Sequence, residues 1–259
     1  MSLLLEEYPT LVYDAVPPSV TDPEDLRLLR KWEVAIGYRI FAALRWGQMG
    51  DGHITARDPI LTDYFWMLGY GIPFHQAAID NLTLVGPDGE GVDGPLDAGI
   101  NTAGYCIHRP LLAARPEIVS AAHTHTGYGT PWSANVSPFQ AINQESCAFV
   151  FDQSLFEGEM LEVLSTEGGA AIASVMGDTK LCILRNHGLL TTGFSPGEAV
   201  GWFVMAERVA EVHVKATDPR PISDAAAKEV AATLAGPTVG WRMFQWLARD
   251  LVPDPSVVL

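Results

Sequence analysis

The chain has 259 residues, 48% of them hydrophobic and 18% charged, which suits one large α/β domain or two small ones and argues against disorder. Its 16 Lys and Arg against 31 Asp and Glu give a net charge of −15, which excludes nucleic acid as an expected partner, because a phosphate backbone wants a basic face. Three separated cysteines (Cys106, Cys147 and Cys182) form no C-x-x-C pair, "MSLLLEEYPT" has no basic n-region, and no uncharged run reaches the roughly 18–20 residues of a membrane span. A soluble, cytoplasmic protein with free thiols is expected.

In chain order, residues 1–22 carry Pro9, Pro17 and Pro18 and read as an irregular arm. "TDPEDLRLLRKWEVAIGYRIFAALRWG" is a predicted helix, capped by Thr21 or Asp22, with Pro23 in its first turn and Leu29, Trp32, Ile36, Ile40 and Leu44 as its apolar stripe. Residues 51–100 read as short strands and turns, including "DGHITARDP", "YFWMLGYGIPF" and "DNLTLVGPDGEGVDGP". "NTAGYCIHRPLLAARPE" is a helix that Pro110 and Pro116 break or bound, "IVSAAHTHT" is a strand, and residues 156–177 are another helix. "KLCILRNHGLLTTG" reads strand, turn, strand, and "SPGEAVGWFVMAERVAEVHVKA" is a long helix capped by Ser195. The remainder, with "GWRMFQWLARDL", is helical. This order predicts a single mixed α/β unit around one central sheet. Its expected divisions are an arm (1–22), a main domain (23–217) and a helical tail (218–259) that packs on that domain or on a neighbouring subunit.

Two histidines, His123 and His125, sit one residue apart at the end of the predicted strand. Side chains two apart on a strand share a face, so both rings can reach one point. Spacing alone leaves a metal site and two ordinary histidines equally open. His187, at the turn after "LCIL", is a candidate third ligand. Three neutral imidazoles suit Zn²⁺, Fe²⁺, Mn²⁺ or Co²⁺ and leave a coordination position open.

"IHRPLLAARPEIVSAAHTHTGYGTPWSA" and "LCILRNHGLLTTGFSPGEAVGWFVMAERV" resemble the class II aldolase/adducin family. The matching positions are His108, Arg115-Pro116-Glu117, His123 and His125, His187-Gly188, Gly193 and Glu198-Ala199, in order across about residues 27–217. The resemblance implies an α/β/α sandwich around a mostly antiparallel sheet. It implies a divalent metal on His123, His125 and His187, and a homotetramer with sites between subunits. Two departures matter. The family aldolases carry a proton-shuttling glutamate four residues before the helix histidine, where this chain has Gly104. Their G-N-x-S phosphate motif reads "GHIT" here, and "GIPFHQAAID" lacks a hydroxyl-glycine cradle, so a sugar phosphate is not the expected substrate. Aromatic residues gather instead: Tyr64, Phe65, Trp66, Tyr70 and Phe74 near the expected site, Trp132 after the H-x-H, and Trp241, Phe244 and Trp246 in the tail.

The candidate catalytic residues are Tyr128 and His53. The candidate substrate contacts are Arg57, able to grip a carboxylate by two parallel bonds, with Thr102 and Trp132. His108 reads as a supporting or packing residue, Glu145 as a loop acid able to replace the missing base, and Glu207 and Glu211 as a solvated helix face. The expected function is a divalent-metal-dependent carbon–carbon lyase, an aldolase variant or a decarboxylase, for a small aromatic or apolar hydroxy- or keto-acid. One alternative is a non-haem Fe²⁺ oxygenase like the oxidative decarboxylases of aminocoumarin pathways, which resemble class II aldolases and have no need of that glutamate. The other is a non-catalytic adducin-like module.

Overall fold

A computed structural model describes residue 11 and residues 15–159 and 162–259. Most of the predicted N-terminal arm therefore lies outside the described residues. Helix α1 (Pro23–Ala43) is capped by Asp22, whose carboxylate accepts the Glu24 and Asp25 amides. This satisfies donors that a helix start otherwise leaves open. Eight strands follow: β1 (Gly52–Arg57), β2 (Phe65–Leu68), β3 (Leu82–Val85), β4 (Gly91–Asp93), β5 (Ser120–Thr124), β6 (Gln153–Phe156), β7 (Leu181–Leu184) and β8 (Gly188–Gly193). Between and after them come α2 (Thr102–Ala114), α3 (Gly129–Ser133), α4 (Thr166–Met176), α5 (Pro196–Lys215), α6 (Asp224–Leu234) and α7 (Pro237–Leu251).

The strands form one sheet in the order β4-β3-β2-β1-β5-β8-β7-β6, antiparallel throughout except for β6 against β7. Alternation along each strand divides the core in two. Ile54, Ala122, Ile183 and Leu189 face the layer of α1, α5 and α7, with Trp32, Phe41, Phe203 and Phe244. Ala121, Cys182 and Leu190 face the layer of α2 and α4, with Ile107, Leu111 and Ile172. The architecture is the α/β/α sandwich around a mostly antiparallel sheet that the resemblance implied.

Three expectations need correction. Residues 156–177 are not one helix. Residues 153–156 extend as β6 beside β7, and α4 begins only where the Ser165 hydroxyl accepts the Gly168 amide. Pro110 does not break α2. A proline here deprives the Cys106 carbonyl of its helix partner. Helix α4 packs Gly169 onto that carbonyl so closely that a Cβ would lie 1.8 Å from it. Phe65 and Trp66 are core residues, each 1% exposed, with the Trp66 indole donating to Asp58.

Glu33 of α1 is fully enclosed and joins three helices, accepting from the Gly197 amide of α5 and the Trp241 indole of α7. Burial pushes its carboxyl up to about 7, against the opposing pull of these donors. Between about pH 4.5 and 7 the folded chain holds a proton that the unfolded chain has released. Stability from this group is therefore present at low pH and lost as pH rises through 7, by about 3 kcal/mol. Urea titrations at pH 5 and pH 8 are expected to show Glu33→Gln losing less stability between the two than the parent. Equal losses would refute the assignment.

Candidate metal centre

Strands β1, β5 and β8 run side by side, so their ends bring distant parts of the sequence together. His53 pairs directly with His123 across β1 and β5. Both point to the α2 side, opposite Ile54 and Ala122. His125 follows immediately after β5. His187 ends the three-residue turn between β7 and β8, where Asn186 takes φ 56°, a left-handed conformation that asparagine tolerates. The His187 amide donates to the Leu184 carbonyl, and the Asn186 amide donates to Ser133 of α3.

These elements converge the predicted ligands. One ligand atom from each of His123, His125 and His187 lies within 4.8 Å of the others. The ring centroids are 4.7 Å apart for His123 and His187, 5.1 Å for His125 and His187, and 5.4 Å for His123 and His125. His123 Nδ1 donates to the Leu189 carbonyl at 2.7 Å, which leaves Nε2 as its ligand atom. Burial, together with the neighbouring imidazoles, drives the pKa of His123 well below the usual histidine range and lowers His187 to about 4. Both are thus neutral, the form that binds metals. His187 Nδ1 is buried without a hydrogen-bond partner, the state of a nitrogen whose partner is an ion or a ligand. His125 is the exposed member, and Asp51 stands 3.6 Å from its Nδ1. The residues fit one divalent cation.

The loop after His125 is fixed from below by Glu207 of α5. One carboxylate oxygen accepts the Tyr128 amide at 2.9 Å, and the other accepts the Thr126 hydroxyl and the Gly129 amide, each at 2.6 Å. Glu207 is 5% exposed, so it is no part of a solvated face. Its signal in the sequence was its place on an otherwise apolar turn of α5. Glu211, one turn on, pairs with Lys215 as a surface residue does.

The remaining candidates divide. His53 is 3% exposed, with its ring centroid 5.0 Å from that of His123. His108 holds it from α2, and Thr55 holds His108. Thr102 is exposed at the first position of α2, next to the cap Asn101. Tyr128 is half-buried at the start of α3, with Lys215 4.8 Å above its ring. Trp132 stacks on Phe139 and meets His213. Glu145 accepts from the Asn143 side chain. The structure does not bring Arg57 to the cluster. It lies at the other end of β1 from His53, and its guanidinium donates to the Ile118, Thr62, Leu112 and Arg115 carbonyls. Four of its five N–H donors hold backbone carbonyls, so no parallel pair is left to grip a carboxylate.

A cavity of about 830 Å³ opens near the His53 end of β1, and none of His53, His123, His125 and His187 lines it. Gly52, which precedes His53, and Asn101, which caps α2, both line it. Its walls are mainly apolar and include Trp46, Leu68, Tyr70, Ile72 and Phe74. Tyr70 and Phe74 are thus the two members of the predicted aromatic group that reach this space.

An α/β/α sandwich with three histidines converging at adjoining strand ends defines the class II aldolase type of scaffold. The chain belongs to the Class II Aldolase and Adducin N-terminal domain family, whose pattern matches residues 33–214. It is similar to decarboxylase NovR of Streptomyces niveus, 30% identical over 263 residues that cover 99% of this chain and 97% of that one. It is similar to the 4-hydroxy-3-prenylphenylpyruvate oxygenase/4-hydroxy-3-prenylbenzoate synthase of Streptomyces roseochromogenus, 30% identical over 95% of this chain and 90% of the other. Among solved structures, an L-fuculose 1-phosphate aldolase from Glaciozyma antarctica superposes with a TM-score of 0.83 at 30% identity, covering 92% of this chain and 96% of that one.

Proposed function

We propose that the protein is a divalent-metal-dependent carbon–carbon lyase, an aldolase variant or a decarboxylase, for a hydroxy- or keto-acid with an aromatic or apolar tail. The observation that carries this reading is the three-histidine cluster at the strand ends. The relative named a decarboxylase supports it over nearly the whole length of the chain. His123, His125 and His187 would hold the cation, which supplies Lewis-acid polarisation of an oxygen of the acid. Trp46, Tyr70 and Phe74 would receive the tail and keep water from it, and Thr102 would contact the polar end at the mouth. His53 is the catalytic candidate nearest the ligands. Tyr128 is the other, on the loop that Glu207 fixes. Zn²⁺ and Fe²⁺ are the expected ions, with Mn²⁺ and Co²⁺ able to replace them. The reading includes a homotetramer with sites near its interfaces, and a cytoplasmic protein; among the described residues no helix is long and apolar enough to cross a membrane.

A second reading, a non-haem Fe²⁺ oxygenase, is favoured by the relative named an oxygenase and by the glycine at residue 104, which offers no acid for proton return. One experiment separates the two. The protein is purified anaerobically, loaded with Zn²⁺ or Fe²⁺, and given phenylpyruvate or mandelate while O₂ and CO₂ are followed. Turnover with Zn²⁺ and without O₂ is the result expected of the lyase. O₂ uptake coupled to CO₂ release, dependent on Fe²⁺, would overturn it in favour of the oxygenase.

A further inference from the structure

His53 Nδ1 lies 2.9 Å from His108 Nε2, and His108 Nδ1 lies 2.8 Å from Thr55 Oγ1. All three residues are buried, Thr55 and His108 completely. A neutral imidazole has one N–H and one acceptor nitrogen. Two bonds in series through two such rings can therefore run in only two directions.

The Thr55 hydroxyl decides between them. It has no other hydrogen bond among the described residues. If it accepted from His108, its own proton would be buried without an acceptor, an arrangement folded proteins avoid. It therefore donates to His108 Nδ1. His108 then carries its proton on Nε2 and donates to His53 Nδ1, and His53 must carry its proton on Nε2. That last N–H has no partner among the described residues, and it is not among their sealed polar atoms.

Residue 104 supplies an independent observation. A Cβ there would lie 2.9 Å from His53 Cγ and 3.0 Å from both Cβ and Cδ2. The imidazole is thus laid against the backbone of α2 where only glycine admits it. The same ring stands beside His123, its register partner.

We propose that Thr55, His108 and His53 form a one-way hydrogen-bond relay that fixes His53 as a neutral Nε2–H donor to an anionic oxygen of the acid substrate, in space that Gly104 leaves open. Thr55 and His108 are positioning residues; His53 is the contact. A donor held where charge develops is typically worth about 10²–10³ in kcat. The ligand class rests on the functional reading above, whereas the tautomers and their cause do not.

The test is NMR of the full chain with ¹⁵N-labelled histidine, with and without Zn²⁺, because ring nitrogen shifts report the tautomer. Both His53 and His108 are expected in the Nε2–H form. Thr55→Val, nearly isosteric, is expected to release that preference, and Thr55→Ser to keep it. Oxalate added to the zinc-loaded protein is expected to shift the His53 Nε2–H signal, with a dissociation constant about tenfold higher in Thr55→Val at unchanged zinc content. A proton on His53 Nδ1 in the parent, or tautomers that ignore Thr55→Val, would overturn the relay. Oxalate that fails to bind, or binds without moving the His53 signal, would overturn the donor role. If the lyase and oxygenase assays both fail, the functional reading falls and the tautomer result still stands.

Discussion

His123→Ala is expected to leave the protein folded and unable to retain a divalent cation. His123 is 2% exposed, and its Nδ1 is tied to the Leu189 carbonyl, so Nε2 is aimed before any ion arrives. Removing it leaves two candidate ligands, His187 and the exposed His125. Changes to groups that merely orient a ligand cost about 10–100-fold in metal affinity, so deleting a ligand should exceed that range. Metal content after gel filtration against a weak chelator is expected to fall from one equivalent to background. Turnover of the aromatic acids would fall below about 1% of the parent, since both proposed chemistries need the ion. Circular dichroism controls for folding. Stoichiometric metal in the variant would sink the site. The cost to folding is small by comparison, because alanine also removes an imidazole that burial, with the neighbouring imidazoles, holds well below its usual pKa.

Glu207→Gln is expected to damage both stability and metal binding although it preserves shape. The three groups around this carboxylate all donate, two of them as backbone amides that cannot turn round. Glutamine offers one acceptor oxygen. Its NH₂ must face either the Tyr128 amide or the Thr126–Gly129 pair, placing donor against donor. Charge-assisted bonds of this kind are each worth about 1.5–3 kcal/mol, and part of that is recovered by relaxation. A net loss of about 2–4 kcal/mol follows, or roughly 5–15 °C in Tm for a chain of this size. The loop so loosened begins directly after His125, so metal affinity should fall with stability. Thermal unfolding with a metal titration checks both. A variant that melts with the parent would show that the loop is held elsewhere.

Some of this was legible in one dimension. The stripe of α1, the strand-turn-strand around His187 and the caps at Asp22 and Ser195 follow from periodicity and local hydrogen bonding, which involve neighbours in sequence. His123 and His125 share a face because a strand repeats every two residues. Gly104 was conspicuous as an acid position without an acid.

What the sequence could not supply was the other side of each contact. Arg57 was a candidate for carboxylate binding because a guanidinium fork suits one; four backbone carbonyls far along the chain or across a turn had already engaged it. Glu207 read as solvated because helix spacing does not reveal that its turn passes beneath the residue 126–129 loop. Of the aromatic residues in "DYFWMLGYGIPF", strand pairing buried Phe65 and Trp66, while Tyr70 and Phe74 fell beyond β2 and reached the cavity. His108 read as packing, and only the neighbouring strand disclosed that it lies between Thr55 and His53.

The sequence by itself determined the elements that carry His123, His125 and His187, because backbone period sets strand and turn; a metal on the three is what the family resemblance implied. Tertiary structure alone decided which polar groups are left free for chemistry. A buried donor or acceptor must find a partner, and that partner is chosen by the fold and not by the chain's local order.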